Sequence, residues 1–510
     1  MKPNIIIVMT DQQRASLRKS KGYPLDTMPF LDEWAGRGVE FQHAYTPNPT
    51  CMPARVSMFT GRYPSAHHVR TNHNAKDAVY TLDLLDVLKQ AGYTTALFGK
   101  NHTHRKPSDF DYAYANSHLG AETGPALEEE TQPQAAFDQF LKSTRFHYSA
   151  TPAPGGVEVQ YPYRNVTEAL EYIDRRDPGT PFFAWISFAE PHNPSQVPYP
   201  YFDLFPPQSL PPLSTGTADL KAKGPRYVWM REIWERVMGS QCEETIDRIR
   251  SNYLGMLRLI DDQFKRLIEG LEQRGMMDNT LVLFVSDHGD FVGEYGLLRK
   301  GPDLSETLIR IPMIWGGAGV CAQSQGRTEC VSLVDVLPTL CDMLGEPAPF
   351  GCQGRSLLPL LEGKTVPEGE LDTAYCESGF GGLYWNEEDA LDPVAEGATQ
   401  DYTTFDCLNT WTQSGQVRAV REGNYKLQMD MMGNGYLYDL SADPLEVNNL
   451  WGQPQWLSIQ AHMLARLAAA CMRAADPIPA PRHRYRVKCH PQGYWFDPNY
   501  RSPDPGVRNE

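Results

Sequence analysis

The sequence predicts a doubly wound, mostly parallel α/β sheet with helices on both faces, and after it a smaller C-terminal α+β domain with an antiparallel sheet. Three observations predict this. Five short apolar runs recur in the first 345 residues: NIIIVM (4–9), YTTALFG (93–99), PFFAWISF (181–188), TLVLFVS (280–286) and IPMIW (311–315). Unbroken apolar runs of this length suit strands buried on both faces of a parallel sheet. Helix-periodic stretches lie between them, as strand–helix alternation requires. Beyond about residue 370 the rhythm changes to short strand patterns and one helix. The expected division is 1–370, 371–475 and a tail over 476–510.

Each element has its own reason. The run Ile5 to Met9 is too short for the core of a signal peptide, and Asp11 follows at once, so it reads as a buried strand. TLDLLDVLKQAG (81–92) ends in glycine, as a helix C-terminus often does. Residues 104–163 and 194–240 are rich in proline, aromatic and polar residues. They read as long loops, which in a compact domain tend to wall a functional site. From Thr245 to Leu271, apolar residues Ile246, Ile249, Tyr253, Met256, Ile260, Phe264, Leu267 and Leu271 recur every three or four positions, the signature of an amphipathic helix. SLVDVLPTLCDMLG (332–345) reads as a helix with a proline inside it. VRAVREGNYKLQMD (417–430) and GYLYDL (435–440) read as antiparallel strands, and WLSIQAHMLARLAAACMRAA (456–475) as a helix on top of them. The last 35 residues carry seven prolines and cannot form a core of their own, so they are expected to cross the main body or reach a second copy in a homo-oligomer.

Composition narrows the partners. A net charge of −16 repels nucleic acid and long polyanions. No apolar run approaches the roughly 20 residues of a membrane span, so no membrane partner is expected. The ten cysteines are scattered and form no C-x-x-C, which argues against a disulfide framework or zinc knuckle and for a cytoplasmic setting.

The chemistry-bearing residues cluster at strand ends. Asp11 and Gln12 follow the first strand, Lys100 and His102 the second, His192 the third, and Asp287 and His288 the fourth. In a sheet of this kind the carboxyl ends of the strands form the site. Two carboxylates and an amide carbonyl are hard ligands that suit Ca²⁺, Mg²⁺ or Mn²⁺, while His288 leaves room for Mn²⁺. An Asp-His-Gly after a strand is also an ordinary turn. Lys100 and Lys300 beside such a cation would hold an anionic group, as in phosphoryl or sulfuryl transfer.

PTCMPARVSMFTGR (49–62) contains Cys51-Met52-Pro53-Ala54-Arg55 and then Thr60-Gly61-Arg62. This C-x-P-x-R-x-x-x-x-T-G-R pattern resembles the signature of the type I, formylglycine-dependent sulfatases of the alkaline-phosphatase-like superfamily. Asp11-Gln12, GKNHTH (99–104), SDHGDFVGEYGLLRKG (286–301) and LYDLSADPLEVNNL (437–450) resemble further elements of that family, in the expected order over residues 3 to 470. The resemblance implies an alkaline-phosphatase-like core with a small C-terminal domain. It implies that Cys51 is oxidised to Cα-formylglycine by a formylglycine-generating or radical maturation enzyme that reads Pro53 and Arg55. It also implies one divalent metal, Ca²⁺ first and Mn²⁺ or Mg²⁺ second, bound by Asp11, Gln12, Cys51, Asp287 and His288.

In that scheme the hydrated aldehyde attacks sulfur, Arg55 holds the diol, and Lys100 and Lys300 neutralise the sulfuryl oxygens. His192 protonates the leaving alcohol, with Lys300 sharing that role, and His102 takes the proton that restores the aldehyde. His73, Asn101, His104 and Arg105 are candidates for substrate recognition because they are polar and near the motifs. Gln12 stands where many relatives have Asp, and His288 where many have Asn. Both exchanges resemble choline sulfatases and phosphonate monoester hydrolases. The expected substrate is a small organic sulfate monoester, first a sulfated sugar or glycosaminoglycan fragment, next an aryl or steroid sulfate. The alternative is a choline-sulfatase-like or phosphonate/phosphate ester hydrolase.

Overall fold

In the computed structural model, the described residues are 2–301, 303–323, 325–380, 388 and 415–476. The expected tail therefore lies outside the described residues beyond 476. The strands are β1 (Asn4–Asp11), β2 (Val39–Tyr45), β3 (Thr94–Gly99), β4 (Tyr112–Ser117), β5 (Gly120–Thr123), β6 (Phe182–Pro191), β7 (Thr280–Ser286), β8 (Met313–Gly317), β9 (Arg327–Ser332), β10 (Thr373–Ser378), β11 (Val417–Glu422), β12 (Tyr425–Asp430) and β13 (Gly435–Asp439). The first nine form one sheet in the order β5-β4-β3-β6-β1-β7-β8-β2-β9. β4, β3, β6, β1 and β7 run parallel, β8 is antiparallel to both its neighbours, and β5 is antiparallel to β4. The last four strands make a separate antiparallel sheet in chain order.

The apolar runs are continuous because both faces of the sheet are covered. Every residue of β1 is buried. Ile6 and Val8 point into a cluster with Tyr253, Met256, Ile260 and Phe264 of the helix Cys242–Gln273. Ile5, Ile7 and Met9 point the other way, toward Leu84, Leu85 and Leu88 of the helix Leu84–Gln90 and Met58 and Phe59 of the helix Cys51–Thr60. Each such side chain taken from water is worth roughly 1.5–3 kcal/mol before entropy is counted.

The two stretches read as loops hold more structure than their composition suggested. Residues 104–163 contain the β4–β5 hairpin and the helix Gln132–Ser143, and 194–240 contain the helix Pro225–Met238. Proline sits in the first turn of both helices, where its missing N–H costs nothing, so it marks a start rather than an interruption.

Register sets the site. Ile7 lies between Trp185 of β6 and Leu283 of β7, which brings Asp11 level with Pro191 and Thr10 level with Ser286. The strand ends therefore converge within a few residues of one another.

Candidate active site

The helix Cys51–Thr60 starts on Cys51, with Thr50 extended before it. All ten of its residues are buried. Asn72 Oδ1 accepts the Met52 N–H at 3.0 Å, satisfying one of the open amides of the first turn. At the other end Gly61 has φ +63 and donates its N–H to Ser57 O at 2.9 Å. A Cβ on Gly61 would lie 2.4 Å from Cys352 Sγ, so the Thr-Gly-Arg end of the motif is a helix stop packed against the 352 loop.

Four ligand atoms, one each from Asp11, Cys51, Asp287 and His288, lie within 4.8 Å of one another, all buried. Cys51 Sγ is 3.5 Å from Asp11 Oδ1 and 3.3 Å from His288 Nε2. His288 Nδ1 donates to Gly289 O at 2.9 Å, because a carbonyl can only accept. The lone pair of the ring is thereby left on Nε2, facing Cys51 and the two aspartates. Gln12 Nε2 donates to Asp290 Oδ2 at 2.5 Å, while Gln12 Oε1 is buried without a partner. Two carboxylates, an imidazole lone pair and an orphaned amide oxygen fit a divalent cation. Asp290, which the strand-end reading did not single out, holds the amide nitrogen and so leaves the oxygen as the open end of that side chain.

Arg55 is fully buried and holds both carboxylates. Its Nε donates to Asp287 Oδ2 at 2.9 Å, one terminal nitrogen to Asp11 Oδ2 at 3.1 Å, and the other to Ser187 Oγ at 2.8 Å and to the carbonyls of Lys100 and Asn101. Its hydrogen bonds thus go to the aspartates and the Lys100 turn, not to Cys51 Sγ. Burial alone would raise the Asp11 carboxyl, but the Lys100 ammonium and the Arg55 guanidinium hold it well below the usual range. Burial and Asp11 push the Cys51 thiol up, yet Lys100 and Lys300 prevail and bring it to about 6.

Lys100 Nζ donates to Asp11 Oδ2 and, at 2.7 Å, to His118 Nε2. Lys300 Nζ is 3.3 Å from both Cys51 Sγ and His192 Nε2. His192 Nδ1 donates to Asn193 O at 2.7 Å, so its Nε2 is the acceptor facing Lys300. Burial, then His118 and Lys300, hold His192 well below its ordinary value. His102 is likewise depressed by burial and Lys100, and its Nδ1 is buried without a partner.

The side chains of the four substrate candidates make no hydrogen bond to the Asp11 cluster. His104 Nε2 meets Asp83 Oδ2 at 2.8 Å, and Arg105 bonds Asp83 at 2.7 and 2.9 Å and Asp86 at 2.5 Å. Both are committed to the N-terminus of the helix Leu84–Gln90. Asn101 closes its own turn, accepting from Thr103 Oγ1 at 2.9 Å and donating to Arg105 O. His73 is exposed, next to Asn72, and has no hydrogen bond to the Asp11 cluster. His118 was missed because no motif or strand run marks a hairpin tip.

Comparison with known proteins agrees with this geometry. Residues 3–346 match the Sulfatase family. The chain is 30% identical over 384 residues to an arylsulfatase of Clostridium perfringens, covering 71% of this chain and 79% of that protein. It is 28% identical to a choline-sulfatase of Rhizobium meliloti over 91% of this chain and 85% of the relative. Among solved structures, the phosphonate monoester hydrolase of Agrobacterium radiobacter superposes with a TM-score of 0.76 at 22% identity, covering 94% of this chain and 97% of the other. A structure in complex with its substrate D-glucosamine-2-N,6-O-disulfate superposes with a TM-score of 0.68 at 20% identity, covering 93% and 98%. The chain belongs to the sulfatase family and is a sulfuric ester hydrolase.

Proposed function

We propose that this protein releases inorganic sulfate from a small organic sulfate monoester, a sulfated sugar or glycosaminoglycan fragment first and an aryl or steroid sulfate next. The observation that carries the reading is Cys51, buried at a helix start, with its Sγ 3.3 Å from Lys300 Nζ and among the Asp11, Asp287 and His288 donors. The Sγ marks where an oxygen of the converted residue would stand. After conversion to formylglycine by a maturation enzyme, that residue would supply a hydrated aldehyde as nucleophile. A divalent cation, Ca²⁺ before Mn²⁺ or Mg²⁺, held by Asp11, Gln12, Asp287 and His288, would polarise the sulfuryl group.

The chain's own residues do the rest. Lys100 and Lys300 neutralise charge on the sulfuryl oxygens. The leaving alcohol takes its proton from the Lys300–His192 pair. His192 Nε2 carries no proton in the tautomer that Asn193 O selects, so Lys300 Nζ is the donor facing it. His102, neutral with an open Nδ1, accepts the proton of the second hydroxyl at position 51. Arg55 fixes the two aspartates. The net charge of −16 favours small esters over polyanions. The eight described cysteines are all free, which supports a reducing, cytoplasmic setting, and no helix among the described residues is long and apolar enough to cross a membrane.

A second reading is phosphonate or phosphate ester hydrolysis, or a choline-sulfatase-like activity. Gln12 at a ligand position and the likeness to a phosphonate monoester hydrolase favour it. One experiment tests both. The Cys51 peptide from protein made in its native host is examined by mass spectrometry, and sulfate release from 4-nitrophenyl sulfate is compared with hydrolysis of a phenylphosphonate monoester. We expect a Cys51 peptide lighter than cysteine by the mass of H₂S less one oxygen atom, and faster turnover of the sulfate. Unmodified Cys51 in an active enzyme would falsify the nucleophile, and faster phosphonate turnover would favour the second reading.

A further inference from the structure

The β4–β5 hairpin delivers to the site a side chain, His118, that lies in none of the sequence motifs quoted above. Ser117 pairs with Gly120, which leaves His118 and Leu119 as the turn. This tip is held firmly. Asn116, fully buried, donates to Asn165 Oδ1 at 2.7 Å. Asp138 Oδ2 accepts the Ala121 N–H at 2.8 Å, and the Tyr161 hydroxyl donates to the same carboxylate. Gly120 has φ +134, and a Cβ there would lie 2.2 Å from Asp138 Oδ2, so the hairpin sits directly on that carboxylate.

At the tip, two contacts connect the two sides of the reaction. His118 Nε2 is 2.7 Å from Lys100 Nζ. An ammonium can only donate, so His118 is a neutral imidazole with its proton on Nδ1. The ring also stacks on His192, with centroids 4.0 Å apart and planes at 26°. Phe146 closes the stack, 5.3 Å from the His118 ring and 5.4 Å from His192. Of the three Lys100 protons, one goes to Asp11 and one to His118. Tetrahedral geometry then fixes the direction of the third.

We propose that His118 is a positioning residue for sulfuryl transfer. Its Nε2 aims the remaining N–H of Lys100 at the sulfuryl oxygens, and its ring face sets the plane of His192 on the leaving-group side. The inference rests on the sulfatase reading above, with Lys100 and His192 in the roles given there.

Two substitutions separate the functions of the ring. His118→Phe keeps an aromatic face for His192 and removes the acceptor. His118→Gln keeps an acceptor within reach of Lys100 and removes the stack. The converted, metal-loaded full-length enzyme is assayed on a series of aryl sulfates, from 4-nitrophenyl to phenyl sulfate, and thermal midpoints of all variants are recorded. We expect His118→Phe to lower kcat by about 10- to 100-fold for every leaving group, with KM little changed, as loss of a supporting contact does. We expect His118→Gln to keep most activity on 4-nitrophenyl sulfate and to fall increasingly as the leaving alcohol becomes less acidic. A His118→Phe enzyme as active as wild type overturns the inference. Equal losses for the two variants across the whole series also overturn it, because a merely structural role would produce that result. A wild type silent on every sulfate ester overturns instead the reading on which the inference rests.

Discussion

Lys300 Nζ stands 3.3 Å from Cys51 Sγ, and the same ammonium lies 3.3 Å from His192 Nε2. One cation thus faces both the attacking and the departing side of the reaction. Lys300→Ala should lower kcat by about 100- to 1,000-fold, as loss of a preorganised donor does. The loss should grow as the leaving alcohol becomes less acidic, because Lys300 also supplies its proton. His192→Ala should cost little on 4-nitrophenyl sulfate and much more on phenyl sulfate. Initial rates on the two esters check this, and a His192→Ala loss equal on both would remove His192 from proton delivery.

Asp290 acts on the cation site through Gln12, whose Nε2 it holds at 2.5 Å. Without that acceptor the Gln12 carboxamide is free to rotate and present its NH₂ group to the cation. Asp290→Ala should weaken divalent metal binding by about 10- to 100-fold, with the protein otherwise folded. Ca²⁺ and Mn²⁺ titrations followed by thermal shift would measure it. Chelation of wild type should abolish turnover, and Ca²⁺ should restore it.

Arg55 carries a role separable from its place in the maturation signal. Its guanidinium bridges Asp11 and Asp287, both fully buried. Arg55→Met leaves two buried carboxylates short of a counterion and should cost about 3–5 kcal/mol. Urea unfolding of the unconverted chain reads this directly, since failure of Cys51 oxidation cannot contribute. An unchanged midpoint would show that Arg55 is dispensable for folding.

Glu446, from the LYDLSADPLEVNNL segment, ties the small sheet to the Lys300 loop. It accepts from Lys426 Nζ at 2.5 Å, and its other oxygen takes Ser305 Oγ and the Glu306 N–H at 3.0 Å each. Lys426 also donates to Leu304 O. Burial would raise this carboxyl, but Lys426 and Lys223 bring it down from 4.5 to about 2. A carboxyl with a depressed folded-state value stabilises above its unfolded value and loses that stability as pH falls through the folded one. The contribution, about 3 kcal/mol, should be complete above pH ~4.5 and lost toward pH ~2. Glu446→Gln should flatten the stability profile over that window. A variant with the same acid limb as wild type would assign it to other carboxylates.

The five apolar runs and the helix at 245–271 were legible because both obey simple periods, and the sheet they form has both faces covered. β2, β4, β5, β9 and β10 were not, since they lie at or near sheet edges or pair irregularly, and each includes positions that are not fully buried. Local pattern cannot show what a strand will be paired with. The same limit hid the partners of His104 and Arg105. Their neighbourhood in sequence pointed to the site, while their partners, Asp83 and Asp86, are about 20 residues away on a helix.

What the amino-acid sequence determined by itself was the kind of chemistry: a Cys51-Met52-Pro53-Ala54-Arg55 signature, hard ligands at strand ends, and two lysines to meet an anion. These are properties of residue type and of position along a strand, which a parallel sheet turns into one edge. The tertiary structure alone decided which nitrogen of each histidine is available, that Arg55 serves the aspartates, that Asp290 orients Gln12, and that His118 joins Lys100 to His192. Apart from the carbonyls of Asn193 and Gly289, which adjoin His192 and His288, those are contacts of 2.5 to 4.0 Å between residues far apart in the chain, set by strand register and hairpin geometry rather than by any local pattern.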